Sequence, residues 1–274
     1  MKIFKLTAFL LAAAGAISLA QGLPLAHASR NIPGPFTLPA SAIKIADNLY
    51  YLGVAKDTDG RVVEGYAILH PKHENSKPAT SGAGKPGGTT CYSFLSKGAR
   101  WKTTETFVFN PANSDGMNNA FVTSALGASA TAWDTQVSFN LFGSGMTTSS
   151  TLVADSAAPD GVNETYFGSI ANSNTIAVTT TWGIFGGPID SRELVEWDMV
   201  FNDPDYSWGD AASNTNLMDL QNVATHEIGH AAGMGHPSNT CAEETMYAFA
   251  DTGEIKKRDL NTGDRGGIKK LYGN

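Results

Sequence analysis

The sequence predicts an α+β fold, and three observations predict it. Short β-rich runs recur between residues 105 and 202. Apolar residues fall at helical spacing over 117–137, 217–232 and 262–271. The longest histidine-bearing helix follows the last strand instead of alternating with the strands, which separates this pattern from a βαβ array. With 274 residues, 42% of them hydrophobic, the chain can bury a substantial core. Its formal net charge of −7 lacks the basic footprint of a nucleic-acid binder.

Residues 1–28 predict a signal peptide. Lys2 and Lys5 precede an apolar run from Leu6 to Ala20, and Ala26-His27-Ala28 fits the small-x-small pattern for cleavage before Ser29. The run is short for a bilayer span, and no later segment is long and apolar enough to be one. The expected product is secreted, has no membrane span in its mature form, and is a monomer.

Residues 29–90 read as a propeptide followed by a linker. NLYYLGVAKDTDGRVVEGYAIL carries two β-runs around the Thr58-Asp59-Gly60 turn. NSKPATSGAGKPGGTT, residues 75–90, offers little to bury and reads as the linker. A small accessory β-unit that stays attached is the other reading. His70 and His73 read as exposed loop histidines beside that linker.

Residues 91–274 read as the main domain. ETFVFN at 105–110 alternates. The segment 117–137 places Phe121, Ala125, Ala128, Ala132 and Trp133 at helical spacing. TLVADSA, TIAVTTTWG and LVEWDMVFN read as strands. Over 217–232, Leu217, Leu220, Val223, Ala224, Ile228 and Ala231 share one face, with Asn216 and Asp219 as the cap. A last helix reads from Thr262 to about Leu271. Cys91 and Cys241 are the two cysteines. In an exported chain they suggest a disulfide, with two buried thiols as the alternative.

The chemistry concentrates in HEIGHAAGMGH, residues 226–236. His226 and His230 stand one helical turn apart, so both rings project from one face and can reach one ion. Gly233 allows the left-handed turn that stops the helix and lets His236 return as a third ligand. Three nitrogens and one open position describe a catalytic Zn2+ site. Glu227 lies beside the ligands without joining them, where a general base belongs.

H-E-x-x-H-x-x-G-x-x-H is the metzincin signature, and every fixed position is matched here. Glu244-Thr245-Met246-Tyr247-Ala248 resembles the Met-turn, with Met246 as the floor under the metal. DLQNVATHEIGHAAGMGH and LNTGDRGGIKKLYG resemble the active-site helix and last helix of the matrixins. The resemblance runs from about 216 to 273, is looser from about 91, and does not cover 29–90. It implies the metzincin (zincin-like) fold: a twisted five-stranded mixed sheet, an active-site helix and a small C-terminal subdomain. TIAVTTTWG at 175–183 would be the edge strand that pairs with substrate.

Some positions depart from the family. Ala248 stands where astacins and serralysins carry a ligand tyrosine. Pro237 follows the third histidine. Gly263-Asp264 replaces the usual Asp-Asp pair, leaving Asp264 to brace the Met-turn. No cysteine between the signal and residue 91 can supply the usual latency ligand; Cys91 at the end of the linker is one candidate, its pairing with Cys241 being preferred, and a carboxylate such as Asp57 or Asp59 is another. Asp198, Asp203 and Asp205 leave room for a structural Ca2+ without naming its ligands.

The resemblance implies a secreted metalloendopeptidase that hydrolyses internal bonds of protein or peptide substrates, with Glu227 as base. The alternative is a non-catalytic zinc-binding or adhesive protein on the same scaffold.

Overall fold

Strands from both ends of the described chain build one large sheet with apolar side chains on both faces. The computed structural model describes residues 35–73 and 90–274. The expected signal peptide and linker lie outside the described residues, except for Thr90 at the linker's end. Everything described belongs to one compact unit, Ile32–Asn274. Among the described residues no helix is long and apolar enough to cross a membrane.

The strands are β1 (Ile43–Ala46), β2 (Leu49–Lys56), β3 (Val62–Pro71), β4 (Ser93–Phe94), β5 (Glu105–Asn110), β6 (Phe142–Thr147), β7 (Glu164–Gly168), β8 (Thr175–Ile184) and β9 (Glu193–Asn202). The helices are α1 (Asn119–Asp134), α2 (Leu220–Ala231) and α3 (Thr262–Tyr272). Eight strands form the sheet in the order β1-β2-β3-β8-β9-β7-β5-β6. Five of them, β6-β5-β7-β9-β8, make the expected mixed sheet: β5 runs parallel to β6 and β7, β7 parallel to β9, and β8 antiparallel to β9.

The other three strands come from the N-terminal segment. β3 pairs antiparallel with β8 from Glu64↔Gly183 to Pro71↔Thr175. β8 is therefore an interior strand in the intact chain, not the free edge that the sequence suggests. Its burial is nearly continuous, as a strand covered on both sides requires.

One face of the sheet carries Phe107, Phe109, Trp197, Met199 and Phe201 against α1 and α2. The other face gathers Leu52, Val63, Leu69, Tyr166, Val178, Trp182 and Val200. Each large side chain fully buried in this way contributes about 1.5–3 kcal/mol. The second cluster mixes residues of β2 and β3 with residues of the main domain, so the N-terminal segment shares its core.

The start of α2 differs from expectation. α2 begins at Leu220, with Asp219 as its N-cap accepting from Asn222 N at 2.8 Å. Met218–Asp219 is held as a short strand instead. The second Asp219 oxygen accepts from Ala211 N, and Arg258 pairs with the same carboxylate, which fixes the helix start. TLVADSA forms no strand; Leu152 and Ala154 still enter the core, with Ala154 N donating to Tyr166 Oη. β6 and β7 were not evident in the sequence, since FGSGMT and ETYFG carry little alternation.

Candidate metal centre and active site

α2 carries the site because its apolar face is pinned under the sheet. Trp133 Nε1 of α1 donates to Thr225 O at 2.8 Å, and Thr225 and Ser129 hydroxyls meet at 3.0 Å. His226, Glu227 and His230 are consequently buried, at 0% exposure each. The helix stops at Gly233, whose φ of 92° is left-handed and whose N–H returns to His230 O. The chain then reverses, with Met234–Gly235 pairing against β4, and delivers His236.

The three Nε2 atoms converge. His226, His230 and His236 are 3.1–3.2 Å apart at Nε2. Ligand nitrogens about 2.0–2.1 Å from one tetrahedral ion stand roughly 3.3 Å from each other, so the set fits zinc. His226 Nδ1–H donates to Thr245 O (2.6 Å) and His230 Nδ1–H to Met234 O (2.9 Å). Those bonds fix the tautomer that leaves Nε2 free to ligate. Burial holds the His226 and His236 imidazoles well below their usual range and pushes His230 down to about 4, which keeps all three neutral.

Met246 packs against α2. It is fully buried, and a Cβ on Gly229, between His226 and His230, would run into its sulfur and into Trp133. The Met-turn is braced from α3: Asp264 accepts from Thr245 N at 2.7 Å and Met246 N at 3.1 Å. Gly263 has its own reason, since any Cβ there would strike the carbonyl of Cys91. Cys91 and Cys241 are bonded to each other, which ties the start of the domain to the loop beyond His236.

Glu227 has a carboxylate oxygen within 4.8 Å of a His226 ring nitrogen. Its Oε2 accepts from Thr179 Oγ1 of β8 at 2.6 Å, and its Oε1 lies 2.9 Å from His70 Nδ1. Burial pushes the Glu227 carboxyl up to about 8, opposed by Thr179 and Lys257. His70 is not an exposed loop residue. It lies in β3, fully buried, with its ring stacked 3.9 Å from that of His226. Its Nε2 is 3.1 Å from Lys257 Nζ, which also donates to the carbonyls of Tyr247 and Phe249. With an ammonium at Nε2, the Nδ1–H donates to Glu227. His73 is half-buried, edge-on to Phe249.

Asp57 and Asp59 are not near the site. They occupy the β2–β3 turn, where Asp57 is held by Arg61, roughly 25 Å along the strand from His70. Asp198, Asp203 and Asp205 also part company. Asp203 accepts from Ser114 N and Asp205 from Asn202 Nδ2, while Asp198 turns inward beside Asp155 and Glu196. That second cluster could hold a cation. Asp155 Oδ2 and Glu196 Oε1 are buried without a hydrogen-bond partner, and Glu196 is only 1% exposed. Beside His236, a cavity of about 350 Å3 is lined by Ile68, Phe94, Pro237 and Phe249 among others.

Sequence reasoning missed Thr179, Lys257 and the role of His70. Thr179 sits in a threonine run of β8 and nothing marks it out from its neighbours. His70 ends a β-run, and that alternation was the available signal.

Residues 188–273 match the family model described as Matrixin. This part of the chain is similar to the matrixins. It holds β9, α2 with His226 and His230, His236 beyond it, the Met-turn and α3. The chain is 48% identical over 61 residues to metalloendoproteinase 2-MMP of Arabidopsis thaliana, a stretch covering 22% of this chain and 15% of that protein. It is 39% identical over 71 residues to human matrilysin, covering 26% and 25% respectively. Metalloendoproteinase 1 of Glycine max is 41% identical over 76 residues, 26% of this chain and 24% of that protein. The chain thus spans a minor part of each relative's length, and the similarity lies within the matrixin region.

Proposed function

We propose that the chain is an exported zinc endopeptidase whose own N-terminal segment holds it latent. The observation that carries the reading is the convergence of His226, His230 and His236 at Nε2 with Glu227 beside them and not among them. A binding module has no use for a carboxylate at that place.

His226, His230 and His236 would hold the ion. Zinc there supplies Lewis acidity, polarising the scissile carbonyl and making water available as a nucleophile near neutral pH. Glu227 accepts the proton of the attacking water and hands it to the leaving amine. Thr179 holds Oε2 and so aims Oε1 at the reacting atoms. β8, once β3 has left it, offers its main-chain groups to an extended substrate.

Latency follows from the same pairing. β3 takes the edge that substrate needs, and His70 takes the base. Residues 29–90 are accordingly a propeptide with its linker, and the mature enzyme is residues 91–274. A structural Ca2+ is assigned to Asp155, Glu196 and Asp198, whose two unpartnered oxygens call for a cation.

The test is casein cleavage by the secreted, processed protein, with a chelator control and with Glu227→Ala. Cleavage that needs both the metal and Glu227 is expected. A zinc-loaded, processed wild type as inert as the mutant would sink the protease reading. N-terminal sequencing of the mature form locates both processing sites.

A further inference from the structure

We propose that Lys257 determines specificity in the substrate subsite now filled by His70, and that this subsite prefers glutamate or glutamine to an aliphatic side chain. The proposal rests on the endopeptidase reading above.

β3 shows how an extended chain lies on β8. It runs antiparallel, in a register that sets His70 opposite Ala177. A substrate adding to the same edge presents alternate side chains to the same places. At the place of His70, the side chain passes over the His226 ring and ends at Lys257 Nζ.

Lys257 is fully buried, with 0% exposure. Two of the three ammonium donors go to Tyr247 O at 2.6 Å and Phe249 O at 2.8 Å. The third meets His70 Nε2. No carboxylate lies within salt-bridge distance of it among the described residues. When β3 departs, that donor faces an open subsite, and a buried cation without an acceptor is costly.

Only an acceptor at the right depth relieves it. Glutamate and glutamine place an oxygen near the position of His70 Nε2, whereas aspartate stops about 1.5 Å short. The carboxylate of Glu227 touches His70 at Nδ1, on the near side of the ring, so a glutamate terminus at the Nε2 place lies closer to Lys257 than to Glu227. An aliphatic side chain leaves the donor unmet, which corresponds to about ten- to hundredfold in kcat/KM.

The experiment uses the zinc-loaded full chain carrying Gly65→Val, a substitution that lifts β3 because a Cβ at Gly65 meets the Trp182 ring at 2.6 Å. Quenched peptides varied through Glu, Gln, Met and Leu at each position flanking the cut are compared with and without Lys257→Met. The expected result is a preference of about ten- to hundredfold for Glu or Gln at one position, lost in Lys257→Met. Preference for Met or Leu at every position, or a Glu:Met ratio unmoved by Lys257→Met, overturns the proposal.

Binding keeps the test independent of that variant's folding and of catalysis. The labelled peptide VVEGYAILHP, residues 62–71, and its forms with His70 replaced by Glu, Gln or Leu are titrated onto the same Gly65→Val chain. Glu and Gln forms should bind about tenfold or more tighter than the Leu form. Equal or tighter binding of the Leu form overturns the subsite, whereas the expected binding order with no cleavage of any peptide overturns the protease reading alone.

Discussion

His70 Nδ1 lies 2.9 Å from Glu227 Oε1, although 157 residues separate them in sequence. One belongs to the N-terminal strand β3 and the other to the middle of α2. Their contact joins the segment expected to be removed to the group expected to do the chemistry, in a site closed to solvent.

His70→Ala should raise the peptidase activity of the intact chain. The variant removes the hydrogen bond to Glu227 and the acceptor of Lys257, two buried interactions that favour the closed pairing. Losing about 1–3 kcal/mol of closure corresponds to roughly five- to hundredfold more of the open form. Initial rates on a quenched peptide, at matched zinc content, read this directly. A wild-type chain as fast as His70→Ala and Gly65→Val would show that β3 does not inhibit. Persistent inactivity in all three would instead turn the question back on the protease reading.

Gly229→Ala should damage the metal centre without touching a ligand. The new Cβ collides with Met246 and Trp133, both fully buried, so either α2 or the Met-turn must move. Overpacking of this kind costs about 1–3 kcal/mol. Thermal unfolding would show the lost stability, and competition with a chromogenic chelator would show weaker zinc binding. Unchanged zinc affinity would mean that Met246 is packing alone and does not position the ligands.

Reduction of Cys91–Cys241 should destabilise the fold more than any single core truncation near it. The bond closes a loop of 150 residues. In the chain-entropy model that constrains the unfolded state by about 5 kcal/mol. Cys91→Ser with Cys241→Ser, compared with wild type in urea, measures it through the transition midpoint. A midpoint that does not move would show that the Gly263–Cys91 packing holds this junction unaided.

Much of the candidate site's geometry was legible because helical spacing is local: His226, Glu227 and His230 lie within about one turn, and Gly233 announces the reversal that brings His236. The five strands of the main sheet were only partly legible. β5, β8 and β9 are rich in β-branched and aromatic residues, but β6 (FGSGMT) and β7 (ETYFG) carry little alternation. Contacts made by the N-terminal segment were not legible at all. Whether β3 pairs with β8 depends on an edge left free by the rest of the fold, and nothing near His70 in sequence says that Lys257 and Glu227 await it. The His70 reading failed for that reason, and the Asp57 and Asp59 reading failed because it considered charge without strand direction.

The Asp155–Glu196–Asp198 cluster sets opposite trends for protons and for calcium. Burial pushes Glu196 up to about 8 and Asp198 well above the usual carboxylate range. A folded-state pKa raised above the unfolded value, about 4.3 for glutamate, gives stability that is complete below that value and is lost as pH rises through about 8. In chelator, the melting temperature should therefore fall between pH 5 and 8.5, and Glu196→Gln should flatten that fall. A bound Ca2+ neutralises the same carboxylates once their protons have gone. Millimolar CaCl2 should raise the melting temperature at pH 8.5, do little at pH 5, and do less in Glu196→Gln at either pH. A calcium response that is equal at both pH values would place the ion elsewhere, because only ionised carboxylates at this cluster can exchange a proton for it.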